Sequence, residues 1–524
     1  MRKGFVALVL HAHLPFVRHP EHDEAFEEDW LFEALTESYI PLLRMMQRLV
    51  ADAVPFKLTM SVTPPLCAML QDELLRARYV RHLDGVIDLA RRECERNRDR
   101  AELQDLAQFY FNLLTDTRAF FEERQRDLLA VFRELRDAGV LEIIACAATH
   151  GLLPLLARSA QAVRAQVLVG RDAYREAFGA EPAGFWLPEC AYSPALERVL
   201  QEANIRWFAL DSHGLLLATP RPRASVYAPC FTPAGPAAFA RDPASSRQVW
   251  SAEAGYPGDP AYREFYRDLG FDLPPAEAFP HSTDQTPRFT GLKFHRITGG
   301  SGPKQIYNRA WAANAVEAHA EDFVQTRRAQ IRELHALVAE PIVVAPFDAE
   351  LFGHWWFEGP AFLESVMRKI AQMPGELELT TPAEFLARHQ TLEVVTPAAS
   401  SWGEGGYWGV WLHENNSWVY PHLHAAAKRM TEMARQHADA PSPLVERALK
   451  QLARELLLAQ SSDWAFLMKT KTAPHYATKR TNDHIARFNR LYEQLKTGAL
   501  DEAFLSECEV RDNLFPHLDW RYYV

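Results

Sequence analysis

Two carboxylates and two histidines stand where apolar, strand-like runs come to an end. Glu189 lies in FWLPEC (185–190), directly after an apolar run and a proline, and Asp348 lies in APFDAELFGHWWFEG (345–359). Carboxyl groups at two strand ends can meet across one pocket. One would then serve as nucleophile and the other as acid and then base, the pair that hydrolysis or transfer of a glycosidic bond requires. A carboxylate at a strand end otherwise caps the helix that follows. For Asp348 both readings are open, although the aromatic wall of Trp186, Trp355, Trp356 and Phe357 weighs against a cap, which needs no tryptophans. His11 and His13 in HAHLP share one face of a strand, because side chains alternate with a period of two. This spacing also occurs in metal sites, and His150 and Asp348 could complete a ligand set, so a metal-dependent hydrolase stands as an alternative. The same histidines could instead donate to a sugar hydroxyl, or simply be satisfied by backbone groups. No CxxC pair and no HExxH motif supports the metal.

The elements that must position these groups follow from hydrophobic patterning. From Phe5 to about Pro382, short apolar or β-branched runs alternate with longer helical patterns. The runs are FVALVL (5–10), FKLTMSVT (56–63), LEIIACAATH (141–150), IRWFALD (205–211), GLKFHRI (291–297), PIVVAPFD (341–348) and ELELTT (376–381). Apolar strands buried on both faces and alternating with helices imply a parallel sheet covered by helices, with a barrel as its closure. Several runs end in His11 and His13, His150, Asp211, His295 or Asp348, and the carboxyl ends of such strands build barrel active sites.

The patterning divides the chain into a catalytic region, 1–395, and a helical C-terminal domain, 396–524, which begins with an aromatic loop. Within the first, residues of about 65–138 read as a charged helical insert. Residues of about 212–245, rich in Pro and Ala, read as a long loop of the kind that carries function.

Composition narrows the ligand. The 524 residues are 48% hydrophobic and 24% charged, as in an ordinary folded chain with an enzyme-sized interior. A net charge of -11 repels nucleic acid and anionic membranes, so a neutral ligand fits better. Thirteen tryptophans and 16 tyrosines supply flat faces for packing or for stacking on sugars. Six scattered cysteines point to a reducing cytoplasm. The N-terminal apolar run is short and ends in histidines, unlike a secretory signal, and no stretch approaches the roughly 20 apolar residues that span a bilayer.

HAHLP, the strand-end His150-Gly151, FWLPEC, FDAELFGHWW and the loop SWGEGGYWGVWLHENNSW occur in this order and together resemble the five motifs of glycoside hydrolase family 57. Within it the chain looks like the bacterial 1,4-α-glucan branching enzymes, which also carry VWSAEAGYPGDPAYREFYRDLGFD and a SSDW before the terminal helices. The resemblance implies an α/β fold: an incomplete seven-stranded parallel β/α barrel with helical inserts and an α-helical C-terminal domain. It also implies a retaining mechanism without metal or cofactor, in glycogen-type carbohydrate metabolism. By motif match Glu189 would be the nucleophile and Asp348 the proton donor. His11, His13 and His150 would line the subsite of the reacting glucose. Arg241 and Gly258 match glucan-contacting positions, as do Trp402, Trp411 and Asp463 on the C-terminal side. Trp186, Trp250 and Trp355 join the aromatic wall expected to hold the chains.

Branching further requires that a glucan 6-hydroxyl, and not water, intercept the covalent intermediate. The resemblance to the branching enzymes implies a loop with a tyrosine at its tip for this, but Val226–Arg241, with Tyr227, Phe231 and Phe239, holds no unambiguous counterpart of that tyrosine, and a short loop that admits water is the expectation. The expected partner is an α-glucan such as amylose or glycogen-like chains, bound by a monomer, with no nucleic acid or membrane. A hydrolytic amylase-type or disproportionating 4-α-glucanotransferase reading of the same site is the alternative, followed by a non-catalytic glucan-binding protein, against which the retention of both carboxylates argues.

Overall fold

The computed structural model describes residues 3–251, 254–280, 285–299, 303–439 and 441–524. Its centre is β1 (Gly4–Ala12), buried along its whole length because both faces are covered. Phe5, Ala7 and Val9 point into a cluster with Ile144, Cys146, Trp186, Phe239 and Val344. Val6, Leu8 and Leu10 point the other way, under the surrounding helices. Full burial of each such side chain stabilises by about 1.5–3 kcal/mol.

Around β1 run β2 (Leu58–Val62), β3 (Leu141–Cys146), β4 (Gly184–Trp186), β5 (Trp207–Leu210), β6 (Cys230–Phe231), β7 (Ala237–Ala240), β8 (Ile342–Asp348) and β9 (Leu377–Leu379). The order is β6-β7-β5-β4-β3-β2-β1-β8, with β9 paired to the start of β1. Apart from β9, the seven strands β1 to β5, β7 and β8 are mutually parallel, and β6 is an antiparallel addition to β7. The sheet curls towards closure without a ladder between β7 and β8. Asp242 N donates to Val344 O at 2.8 Å across that gap. This is the expected incomplete barrel of seven parallel strands, but β4 and β7 stand among the seven in place of GLKFHRI and of ELELTT, which pairs as β9 beside β1.

GLKFHRI is not a strand of the sheet. Its residues make only isolated bridges, His295 with Ile306 and Arg296 with Arg263. His295 is therefore not a strand-end group at the barrel mouth. The seventh parallel strand is β7, AAFA, inside the segment read as a long loop. Alanine has low strand propensity, so a strand of three alanines and one phenylalanine leaves little pattern. Small side chains nonetheless suit a place where β7 must lie flat beside Trp207 and Phe208.

The insert is helical, with Glu73–Arg96 and Ala101–Glu123 packed together and ion pairs such as Arg118–Glu122 on their outer faces. Helix Ala160–Phe178 approaches β3 so closely that a Cβ on Gly170 would lie 2.1 Å from Cys146 O. The C-terminal helices Val419–Gln436, Pro443–Ala459, Pro474–Thr497 and Glu502–Arg511 pack together, and their apolar faces are continuous with the core around the barrel. The last residues fold back as a packed tail in which Trp520 and Tyr523 are fully buried. Among the described residues, no helix is long and apolar enough to cross a membrane.

Candidate active site

Strand register brings the first two groups together. In the ladder between β1 and β8, His11 is the partner of Asp348, the last residue of β8. Asp348 has the position of an N-cap for the turn Ala349–Leu351, yet its side chain makes no capping bond. The capping reading is thereby excluded, and the carboxyl is left to the pocket.

Glu189 follows β4 in the tight turn Pro188–Cys190, with φ 61° at Glu189 and 48° at Cys190. A left-handed conformation costs a residue with a Cβ about 1–2 kcal/mol. Two hydrogen bonds from one residue hold it: Trp402 N donates to Glu189 O at 3.1 Å, and Trp402 Nε1 donates to Glu189 Oε2 at 2.7 Å. Trp402 belongs to the aromatic loop beyond the barrel, so the position of Glu189 is fixed from the C-terminal side.

The histidines form a stacked layer. His13 lies over His150 with ring centroids 3.9 Å apart, and His11 stacks on Trp186 at 4.5 Å. Nε2 of His11 and Nε2 of His150 are 3.0 Å apart, and His150 Nδ1 is 2.9 Å from Ser462 Oγ. Burial, joined by the neighbouring histidine charges, lowers His11 and His150 well below the ordinary imidazole value, so both are neutral. His13 bridges the two regions, with Nδ1 3.0 Å from Thr63 Oγ1 and Nε2 3.0 Å from Asp463 Oδ2. Burial pushes Asp463 up, but the charge and hydrogen bond of His13 outweigh it and hold the carboxyl at about 2.

His13, His150 and Asp463 bring donor atoms within 4.8 Å of one another, a spacing that could hold a metal ion. The ring nitrogens involved are already engaged, with each other, with Asp463 or with Ser462 and Thr63. A cation would have to break these bonds, whereas His11 Nδ1, buried without a partner, remains open to a hydroxyl group.

Three partly buried carboxyls lie close enough to feel one another's charge. Burial raises Glu189 to about 8; the Trp402 hydrogen bond opposes this, and the charges of Asp348 and Asp463 add to it. Burial raises Asp348 to about 7 against the pull of His13 and Arg241. Glu350, two residues on, is raised to about 8 by burial and by the charge of Asp348. The sequence leads one to expect a charged Glu189 beside a protonated Asp348. Both are raised instead, and the attacking state is one arrangement of protons in a coupled group. Glu350 was not singled out among the sequence motifs, although it lies in one of them. It accepts from His13 N at 3.1 Å and from the Tyr39 hydroxyl. Tyr39 ends a π-helical stretch, Leu35–Tyr39, a register that leaves no sequence signal.

The remaining predicted residues divide into rim and core. Trp250 is about half exposed and stacks beside Trp402 at 6.4 Å, while the Arg241 guanidinium lies 6.0 Å from the Trp402 ring and pairs with Asp211 at 3.1 Å. These four meet at the mouth next to Glu189. Trp355 is exposed and stacks on Phe265, so it stands on a separate part of the rim. Gly258 is exposed at the end of the turn Tyr256–Gly258, whose Tyr256 is buried; Ala252 and Glu253, in the same quoted stretch, fall outside the described residues. Two expectations are corrected. Trp186 and Trp411 are 0% and 2% exposed, so neither ring offers a face to a glucan. Trp186 is the floor beneath His11 and Trp402, and Trp411 packs against Gly403 inside the aromatic loop.

Val226–Arg241 folds as a compact connection. β6 and β7 form a hairpin closed by the tight turn Thr232–Pro236, with Gly235 N bonded to Thr232 O at 3.0 Å. Phe239 points into the barrel, Phe231 is partly buried beside it, and Tyr227 packs on the outer core. None of them tops a loop over the mouth.

Trp402→Phe isolates the hydrogen bond to Glu189. Because that bond lowers Glu189, its loss should raise the carboxyl further and move the acid limb of the rate profile to higher pH, with a fall in kcat of about tenfold. A profile superimposable on the wild type would refute the coupling.

Comparison with known proteins bears on this arrangement. The family description "Glycosyl hydrolase family 57" matches residues 7–397, and "1,4-alpha-glucan branching enzyme, C-terminal" matches residues 422–523. A 1,4-alpha-glucan branching enzyme of Thermococcus kodakarensis is 34% identical over 98% of this chain and 77% of its own length. Among solved structures, the alpha-amylase AmyC from Thermotoga maritima is 43% identical, with a TM-score of 0.93 over 100% of this chain and 99% of its own. The GH57-type branching enzyme from Pyrococcus horikoshii is 34% identical, with a TM-score of 0.89 over 99% of this chain and 97% of its own.

Proposed function

The chain belongs to glycosyl hydrolase family 57, and we propose that it is a 1,4-α-glucan branching enzyme that works with retention through a covalent glucosyl-enzyme. The observation that carries this reading is the shared construction of the site. Trp402, Ser462 and Asp463 reach Glu189, His150 and His13 from the region that ends in the branching-enzyme C-terminal match.

In the first step the Glu189 carboxylate attacks the anomeric carbon of an α-1,4-linked glucose. A C–O bond forms to Glu189 as the bond to the leaving chain breaks, and Asp348 gives that chain's 4-oxygen a proton. In the second step Asp348 takes the proton of an incoming glucan 6-hydroxyl, whose oxygen displaces Glu189 and restores the α configuration as an α-1,6 branch. The neutral His11 and His150 and the His13–Asp463 pair are placed to orient hydroxyls of the reacting glucose. Stacked Trp250 and Trp402 offer the adjacent sugar a flat face.

A hydrolytic reading draws support from the likeness to the Thermotoga maritima alpha-amylase and from the short β6–β7 turn, which puts no tyrosine over the mouth. Incubation with amylose separates the two. Branching predicts new α-1,6 linkages well in excess of new reducing ends. An excess of reducing ends would establish hydrolysis, and redistributed chain lengths without α-1,6 bonds would establish disproportionation. All six cysteines are free, which supports a cytoplasmic setting for this activity.

A further inference from the structure

A second cleft lies apart from the catalytic carboxyls. A cleft of about 1000 Å³ lies between the insert helix Ala101–Glu123 and the start of helix Arg309–Leu334. Trp311 lines it with half its surface, 55%, open to solvent. Its open face is flat and apolar and can stack on a sugar ring. Its backbone is fixed, because the Asn308 side chain accepts from Ala310 N at 3.0 Å and from Trp311 N at 3.1 Å.

The polar groups around the ring are equally fixed. The Arg296 guanidinium lies 5.9 Å from the Trp311 ring centre and donates to Pro260 O at 2.9 Å and to the Gln305 side chain. Arg296 Nε is buried without a partner. Charges within the cleft are largely matched, Arg309 to Asp105 and Lys304 to Glu264. A balanced set of donors and acceptors around one aromatic face suits a neutral polyhydroxyl ligand, whereas a nucleic acid or an anionic surface would need unpaired positive charge.

Helix Arg309–Leu334 runs down to feed β8, so its first turn lies on the side of the carboxyl ends of the strands, as Glu189 and Asp348 do. Tyr307, which lines the cleft, donates to Glu358 at 2.6 Å, at the start of the helix Gly359–Ala371, ten residues beyond Asp348. We propose that this cleft is a second α-glucan-binding site, with Trp311 as its stacking platform and Arg296 as its hydroxyl-binding group, holding a distant stretch of the polymer whose bond is cut at Glu189. This rests on the α-glucan activity proposed above.

The test compares wild type, Trp311→Ala, Trp311→Phe and the catalytically disabled Glu189→Gln by electrophoresis through gels containing amylose, together with kinetics on amylose and on a maltooligosaccharide of about seven units. Trp311→Ala should bind amylose about 5–10-fold more weakly and show a matching rise in KM, with kcat and the short-substrate kinetics unchanged. Trp311→Phe should keep most of the binding. Retardation of Trp311→Ala equal to wild type overturns the site while leaving the α-glucan activity intact. Equal loss on the short substrate overturns the separateness of the site. Failure of both wild type and Glu189→Gln to be retarded overturns the α-glucan reading itself.

Discussion

Glu189→Gln is expected to cut both transfer and hydrolysis by about 10⁴-fold or more, because an amide cannot form the glucosyl ester on which every later step depends. The substitution preserves shape, and a Gln oxygen can still accept from Trp402 Nε1 at the present 2.7 Å. Circular dichroism and amylose binding should therefore match the wild type. In Glu189→Ala the space left by the carboxylate admits azide, which should restore turnover of an activated glucosyl donor and yield a glucosyl azide of inverted configuration. Activity of Glu189→Gln within tenfold of wild type would remove Glu189 from the nucleophile's role.

Asp348→Asn should slow reaction on amylose by about 10³-fold or more, because the leaving chain then departs unprotonated and the incoming hydroxyl keeps its proton. The loss should shrink sharply with α-glucosyl fluoride, whose leaving group needs no acid. Attack then outruns the second step, and the glucosyl-enzyme should accumulate to a level visible in the intact mass. A pH effect accompanies this. The Asp348 charge contributes to raising Glu189, so its removal lowers the Glu189 value and lets the nucleophile ionise at lower pH. The acid limb should move down, although burial, the largest cause, keeps it above the ordinary carboxylate range. An equal loss on the fluoride and on amylose would exclude Asp348 as the acid.

How far the chain could be read before its structure follows from where each signal comes from. Glu189 and Asp348 stand out because a charged group directly after a buried run is locally anomalous, and strand ends converge in this class of fold. β7 escaped because AAFA has no β-branched residue and lies among prolines, so its strand character comes from the neighbouring β5. GLKFHRI misled for the opposite reason. Leu292 and Phe294 are buried, but so is Lys293 between them, and the segment serves a small insert. Glu350 and Tyr39 meet only because a π turn shifts the register of one helix, a tertiary event without a local mark. Trp411 and Trp186 show that composition cannot distinguish a ring that stacks on a ligand from one that fills a core. Asp463 and Trp402 came from the family likeness; nothing in their neighbours predicts a partner more than 200 residues away, as Glu189 is for Trp402.

The double grip of Trp402 on Glu189 has a consequence for the order in which the chain is made. Glu189 leaves the ribosome some 200 residues before the tryptophan that holds its turn, and at 5–20 residues per second that is an interval of about 10–40 s. During it the barrel can gather its strands, but the turn that carries the carboxylate has only its local bonds, Cys190 N to Leu187 O and Ala191 N to Pro188 O, and lacks both bonds from Trp402. His13 and His150 likewise wait for Asp463 and Ser462. A nascent or truncated barrel therefore has its reactive groups in the chain without having a reactive site, and the polymer-cutting chemistry becomes available only once synthesis is nearly complete.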